Sequence, residues 1–266
     1  MLNINFTGKK YLVTGGAGVG VGAGICEALA ACGGQLIIND IDEKKTFEAA
    51  KKYPNAIAVP GDISHSDDVA HIFAKINEQC GVIDGLVNNA GIGLRKNAHL
   101  VKEAEFDLLY GVDIKGVWLV AKAFANQLIA NNHTGHIVNV SSVHARKTTS
   151  RHALYSSAKA AVEGLTRGMS VELGKLGIRC NAIAPGYIDS EQNRSAVASW
   201  ADDPKAWEEE QKVEYQSLNH LITARDCGNA AVFLLSDLAR SITGHTIPVD
   251  AGFTNLLYSN SFIGEK

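Results

Sequence analysis

Short apolar runs rich in Val and Ile recur along this chain at residues 11–14 (YLVT), 35–39 (QLIIN), 56–60 (AIAVP), 85–89 (GLVNN), 136–141 (HIVNVS), 178–183 (IRCNAI) and 245–249 (HTIPV). Runs of this length bounded by Gly, Asn, Asp or Pro read as strands. Between them, stretches such as ICEALAACG, DVAHIFAKINEQCG and AKAAVEGLTRGMSVELGKLG repeat apolar positions every three or four residues and read as helices with one buried face. Near-continuous apolar strands are buried on both faces, and their alternation with helices requires right-handed crossovers. The expected fold class is α/β, a doubly wound parallel sheet of about seven strands with helices on both faces.

The pattern is interrupted once. Residues about 191–222, including SWADDPKAWEEEQKVEYQ, form a polar, helical excursion between two strand-like segments. An insertion beyond strand ends is expected to cover a binding site. No Pro/Ser-rich linker, repeat or low-complexity run divides the rest, so residues 1–266 are read as a single domain.

Composition narrows the function. Hydrophobic residues make up 46% and charged residues 20%, with a net charge of -3 and no basic run. That argues against nucleic acid or anionic membrane as partner and for a small-molecule substrate. The N-terminus has no basic segment followed by an apolar stretch, and no run reaches the roughly 18 apolar residues of a membrane span, so a soluble, cytoplasmic protein is expected. Cys26, Cys32, Cys80, Cys180 and Cys227 are odd in number and lack Cys-x-x-Cys spacing. They fit reduced, packed thiols, and no metal site is expected.

After the first strand comes TGGAGVGVGAGICEALA, in which Gly16, Gly20 and Gly22 are spaced Gly-x-x-x-Gly-x-Gly ahead of an apolar helix. Glycines there permit a tight turn and close backbone approach to a pyrophosphate, whose charge is met by N–H groups at the helix start. A flexible turn is the plain alternative, but strand, loop and helix come in the order that a dinucleotide site needs. Asp40 ends the second strand, 18 residues beyond Gly22, where an acidic side chain accepts hydrogen bonds from the adenosine ribose and repels a 2′-phosphate. It also suits a helix cap, a task that Asp42 serves equally well. NAD is therefore preferred to NADP. Tyr155 and Lys159, in YSSAK, stand one helical turn apart, a pairing common enough by itself to decide nothing.

With the glycine turn, Asp40, NNAG (88–91), NVSS (139–142), YSSAK (155–159) and NAIAPGYIDS (181–190) in this order, the chain closely resembles the short-chain dehydrogenase/reductase family from about Lys9 to Gly252. The resemblance implies a Rossmann-like fold. It implies that Tyr155 is the general acid/base, exchanging a proton with a carbonyl or alcohol oxygen while hydride passes at the nicotinamide. A phenol with a reference pKa near 10 needs a nearby cation for that task at neutral pH. Lys159 is implied as that cation and as a ligand of the nicotinamide ribose, and Ser142 as a hydrogen-bond partner of the reacting oxygen. The same comparison places Asp62 and Ile63 near the adenine and Asn89, Ala90 and Gly91 beside the adenosine ribose. It places Pro185, Gly186, Ile188 and Ser190 at the nicotinamide carboxamide. The closing strand, ITGHTIPVDAG (242–252), packs across a subunit interface in many relatives, which implies a homotetramer, with a dimer as the alternative.

The chain departs from the family in two places. Counted from Gly15, its glycine loop has four residues before the next glycine where the family has three, so Thr14 stands one position out and either Gly15 or Gly16 takes the first role. In GVDIKGVW, Asp113 occupies a position where the family has an asparagine that holds a water linking the lysine to solvent. Asp113 keeps the acceptor and loses the donor. Alternatively it turns away to cap or to pair with Lys115.

Positions after Ser142 and after NNAG face the substrate in such folds, which brings forward Arg95, His144, Arg146, His152 and Tyr187. His144 matches a histidine of the family's 3-hydroxybutyrate dehydrogenases, whereas Leu94 and His152 depart from their ligand set. Arg95 and Arg146 read equally well as solvated loop charges. The expected activity is that of an NAD-dependent dehydrogenase of a secondary alcohol, such as a sugar, polyol or hydroxy acid. The alternatives are a 3-oxoacyl reductase, which would favour NADP and a basic phosphate loop, and a non-catalytic NAD sensor, which would need no Ser142, Tyr155 and Lys159.

Overall fold

In chain order the strands are β1 (Lys10–Thr14), β2 (Gln35–Asn39), β3 (Ile57–Ala58), β4 (Gly85–Asn88), β5 (Gly135–Val140), β6 (Ile178–Pro185), β7 (Ile188–Asp189), β8 (Ile222–Thr223) and β9 (Thr246–Val249). The computed structural model describes residues 4–189 and 191–263. Seven strands lie parallel in the order β3-β2-β1-β4-β5-β6-β9, while β7 and β8 form a separate parallel pair. The chain leaves β1 toward β2 and β3 on one side and resumes at β4 on the other. That reversal opens a crevice at the carboxyl ends of β1 and β4, the place where such sheets bind ligands.

The helices are α1 (Val21–Ala31), α2 (Glu43–Ala50), α3 (Ser66–Gln79), α4 (Glu103–Tyr110), α5 (Val117–Ala130), α6 (Ala153–Gly174), α7 (Glu191–Ala198), α8 (Pro204–Glu214) and α9 (Ala224–Leu235). Strand alternation sends Tyr11 and Val13 of β1 to one face and Leu12 to the other. On the first face they join Ile25 and Leu29 of α1 and Val232 and Leu235 of α9. On the second, Leu12 joins Phe73 and Ile76 of α3 and Phe124 and Leu128 of α5. Fully burying one such side chain stabilises the fold by about 1.5–3 kcal/mol.

Polar residues interrupt the apolar strands near their carboxyl ends, and each has partners. Asn39 donates to the Val59 carbonyl, Asn88 donates to Asn139, and Asn139 donates to Thr166 on α6. These buried bonds hold the strand ends that carry the site.

β3 is shorter than the run at 56–60. Val59 still donates to the Ile38 carbonyl, but Pro60 has no N–H to extend the ladder. The β7–β8 pair was absent from the hydrophobic pattern. It pins the two ends of the polar excursion together, Ile188 beside Ile222, with α7 and α8 between them. α4 runs into α5 through a single π-helical turn, Gly111–Gly116. No described helix is long and apolar enough to cross a membrane.

Candidate active site

A cleft of about 310 Å³ opens at the carboxyl ends of the strands, walled by Gly15, Gly20 and Gly22, by Asp40, by Asp62 and Ile63, and by Asn89, Ala90 and Gly91. Gly15 makes the turn. Its φ is 62°, and a Cβ there would sit 2.8 Å from the Ala90 Cα. Gly16 lies behind the wall, donating its N–H to the Asn39 carbonyl and packing on Ile38. Gly15 thus lines the cleft where Gly16 does not, and Gly18 and Val19 form the exposed tip of the loop. Thr14 keeps its place, because its Oγ accepts the N–H groups of both Asn89 and Ala90 at 3.1 Å. The Asn89 amide donates in return to the Thr14 and Gly15 carbonyls at 3.0 Å.

α1 begins directly beyond this loop. Its N-cap, Gly20, offers no side-chain bond, and its first turn carries no acidic residue, so the leading N–H groups are left for an anion. Asp42 caps α2 through the Lys45 N–H, which leaves Asp40 to face the cleft. Burial pushes the Asp62 carboxyl up, but hydrogen bonds from Ser64 and the neighbouring His65 outweigh it and hold Asp62 below the usual carboxylate range. The residues present therefore fit a dinucleotide: a glycine cradle, a helix start and two acidic acceptors.

Beyond the cleft wall at Gly91, Tyr155 and Lys159 stand one turn apart on α6. The Lys159 Nζ lies 5.6 Å from the centre of the Tyr155 ring and donates to the Val140 carbonyl at 3.4 Å. It lies 3.0 Å from Asp113 Oδ2, with both side chains buried. The π-helical turn sets Asp113 inward, where Oδ1 accepts the Ile92 N–H at 2.8 Å. Asp113 thus pairs with Lys159 itself and not with Lys115. Gly91 closes on this pair, since a Cβ there would sit 3.0 Å from Nζ. Burial alone would push the Lys159 ammonium down, but the fields of Tyr155 and Asp113 outweigh it and its pKa lies above the ordinary lysine value. Ser142, buried just past β5, accepts the His144 N–H at 3.2 Å, and Ser141 stitches β5 to α6 by donating to the Lys159 carbonyl.

Of the substrate-facing candidates, His144 and His152 converge on Tyr155. The rings of His144 and His152 lie 4.7 Å apart, and those of Tyr155 lie 5.6 and 6.3 Å from them. Burial, with the adjacent His152, pushes His144 down to about 4, so it is a neutral imidazole at neutral pH. His152 Nδ1 is 3.0 Å from the Thr149 hydroxyl and 3.1 Å from the Ser150 carbonyl. Arg146 is turned away, its Nε 3.3 Å from Glu163 on α6. Tyr187 follows Pro185 and Gly186 at the end of β6, where the Gly186 N–H bonds the Val249 carbonyl, and its hydroxyl donates to Glu208 at 2.9 Å. Ile188 is buried in β7, and Ser190 lies outside the described residues.

Arg95 lies over the Trp200 ring, 5.2 Å from its centre. Trp200, Trp207 and Glu208 were not singled out by sequence reasoning. They sit in a polar helical stretch, and their partners are distant along the chain.

A family model described as Enoyl-(Acyl carrier protein) reductase matches residues 16–254. L-xylulose reductase of Caenorhabditis elegans is 32% identical over 257 residues, spanning 95% of this chain and 98% of that protein. 5-keto-D-gluconate 5-reductase of Escherichia coli (strain K12) is 31% identical over 252 residues, 93% of this chain and 96% of that protein. Among solved structures, a gluconate 5-dehydrogenase from Burkholderia cenocepacia J2315 in complex with NADP and tartrate superposes with a TM-score of 0.87 at 30% identity, covering 96% of this chain and 98% of that one.

Proposed function

The chain belongs to the short-chain dehydrogenase/reductase family, and on that premise we propose that it is an NAD-dependent oxidoreductase that interconverts a secondary alcohol of a sugar, polyol or sugar acid with its ketone. The observation that carries the reading is that Lys159, one helical turn from Tyr155, abuts the cleft wall at Gly91. The similarity to an L-xylulose reductase and a 5-keto-D-gluconate 5-reductase supports the substrate class.

The cofactor supplies or accepts the hydride when bound. It would rest with its pyrophosphate at the start of α1, its adenosine ribose at Asp40 and its adenine near Asp62 and Ile63. Tyr155 takes the alcohol proton during oxidation or returns it during reduction. Lys159 favours the phenolate by its charge, and Ser142 holds the reacting oxygen by a hydrogen bond. His144 lines the approach to Tyr155 with an uncharged imidazole, which suits substrate hydroxyl groups, and the His152 ring stands beside both.

NAD is favoured over NADP because Asp40 places a carboxylate where a 2′-phosphate would lie, and the loop Gly15–Gly20 offers no cation to offset it. The excursion from Glu191 to Leu221 covers the substrate, and Trp207, edge-on to Tyr187 at 5.0 Å, supports that placement. Assembly as a homotetramer is part of the reading, since Phe106, Leu108 and Trp118 leave apolar surface on α4 and α5 for a second chain to cover. The test is a panel of sugar alcohols and sugar acids with NAD and with NADP, followed by absorbance of the reduced cofactor.

A further inference from the structure

The excursion between β7 and β8 is fixed at its root. Beyond the β7–β8 pairing, the N–H groups of Ser217 and Leu218 both donate to the Ala251 carbonyl. Away from the root its contacts form a row. The Tyr187 hydroxyl donates to Glu208, the Tyr187 ring meets Trp207 edge-on at 5.0 Å, and Trp207 meets Trp200 at 5.2 Å and 87°. The row ends on Arg95, whose guanidinium lies over the Trp200 indole.

Arg95 belongs to a different part of the molecule. It stands in the loop that leaves β4, three residues beyond Ile92, whose N–H holds Asp113 against Lys159. Lys96 ties the same loop to the catalytic side of the cleft, its N–H bonding the Arg151 carbonyl at 2.7 Å. A loop fastened at the ion pair thus reaches across to the covering segment through one side chain. A planar guanidinium suits the task, because its charge is spread and weakly hydrated and it stacks on an indole face where an ammonium would keep its water.

We propose that Arg95 is a positioning residue that fastens the segment carrying α7 and α8 over the substrate cleft through its contact with Trp200, and so sets substrate affinity without touching the reacting atoms. The proposal rests on the reading above that this segment covers the substrate. A cation over an indole at a partly exposed site biases the closed arrangement by about 3- to 10-fold. Substrate that binds only the closed arrangement then loses apparent affinity by up to that factor when the contact is removed, while the chemical step is spared.

The experiment compares Arg95→Met, Arg95→Lys, Trp200→Leu and the double variant Arg95→Met/Trp200→Leu. Amide exchange is measured across residues 191–214 with NADH bound and no substrate present, and kcat and KM are measured with the best polyol found. Arg95→Met is expected to speed exchange in this span and raise KM about 3- to 10-fold, with kcat within about twofold. Arg95→Lys should fall between it and the unaltered protein, and the double variant should be no worse than Trp200→Leu alone. Losses that multiply in the double variant, with exchange unchanged by Arg95→Met, would mean that Arg95 contacts substrate directly, and the latch is overturned. The exchange readout needs no turnover. A protein that oxidises no polyol yet shows faster exchange keeps the latch and loses the proposed activity, and the reverse pattern loses the latch alone.

Discussion

Asp113 Oδ2 and Lys159 Nζ form a buried ion pair, 3.0 Å apart, with Nζ 5.6 Å from the centre of the Tyr155 ring. A neutral asparagine at this position would leave the full cationic field of Lys159 on Tyr155, whereas the carboxylate cancels part of it. Asp113→Asn keeps the side chain's shape while removing one negative charge, its single oxygen accepting from the Ile92 N–H or from Lys159 but not from both. The rise of the alcohol-oxidation pH profile should move to lower pH, by up to about one unit at the effective dielectric of a partly solvated site. Asp113→Ala should cost more, about 3–5 kcal/mol of stability, because it removes the acceptor of the Ile92 N–H as well as the charge that faces the buried ammonium. A pH–rate series on both variants, with urea unfolding, checks this. Equal damage from Asn and Ala, or an unmoved profile, would remove the charge-balance role.

Asp40 faces the cleft while Asp42 carries the cap of α2, so cofactor choice is expected to rest on Asp40. Charged hydrogen bonds to ribose hydroxyls contribute about 1.5–3 kcal/mol each, which corresponds to a preference for NAD of at least tenfold. Asp40→Ala should lower kcat/KM with NAD by about that factor and narrow the gap to NADP. Equal kcat/KM for the two cofactors in the unaltered protein would show that Asp40 is not a selector.

His136 sets an acid limit on stability. Burial, reinforced by the Arg179 charge, pushes its pKa down to about 4, and its Nδ1 is buried without a hydrogen-bond partner. The unfolded chain binds this proton near pH 6.5 and the folded chain does not until about pH 4, so stability falls as pH drops through that window. The contribution is about 1–3 kcal/mol after allowance for partial solvent access. Urea unfolding at pH 7 and pH 4.5 should show a smaller loss for His136→Gln than for the unaltered protein. Parallel losses would assign the acid limb elsewhere.

Gly91 abuts both members of the ion pair, with a Cβ there placed 3.0 Å from Lys159 Nζ and 3.2 Å from Asp113 Oδ2. Gly91→Ala is expected to push the two groups apart and lower kcat about tenfold or more, with NADH affinity measured alongside because Gly91 also walls the cleft. Unchanged kcat would mean that the pair tolerates displacement and is not a fixed element of the site.

The sheet was legible because parallel strands are apolar on both faces, so runs such as QLIIN and IRCNAI mark β2 and β6 with little ambiguity. Tyr155 and Lys159 were legible because the motifs of the family stand in register around them, their spacing of one helical turn being too common to decide. Long-range relationships were not. No local periodicity encodes the contact of Arg95 with Trp200, 105 residues away, and only the family resemblance set Asp113 near Lys159, 46 residues along the chain. Arg146 has the same sequence context as a substrate contact, yet an acidic residue on α6, Glu163, draws it aside. The two-residue strands β7 and β8 are too short to carry a pattern, and Gly15 and Gly16 are separated only by backbone geometry that identical side chains conceal.

The central claim is that Tyr155 carries the proton in an NAD-linked oxidation of a polyol or sugar-acid hydroxyl. The most direct measurement is the initial rate of NADH formation across that substrate panel for the unaltered protein and for Tyr155→Phe, with NADH affinity measured by fluorescence in both. The account predicts turnover with at least one such substrate and a loss of at least about 10²-fold in kcat for the variant, with NADH affinity nearly unchanged. Turnover that survives in Tyr155→Phe at a near-normal rate would contradict it, as would the absence of turnover with every member of the panel.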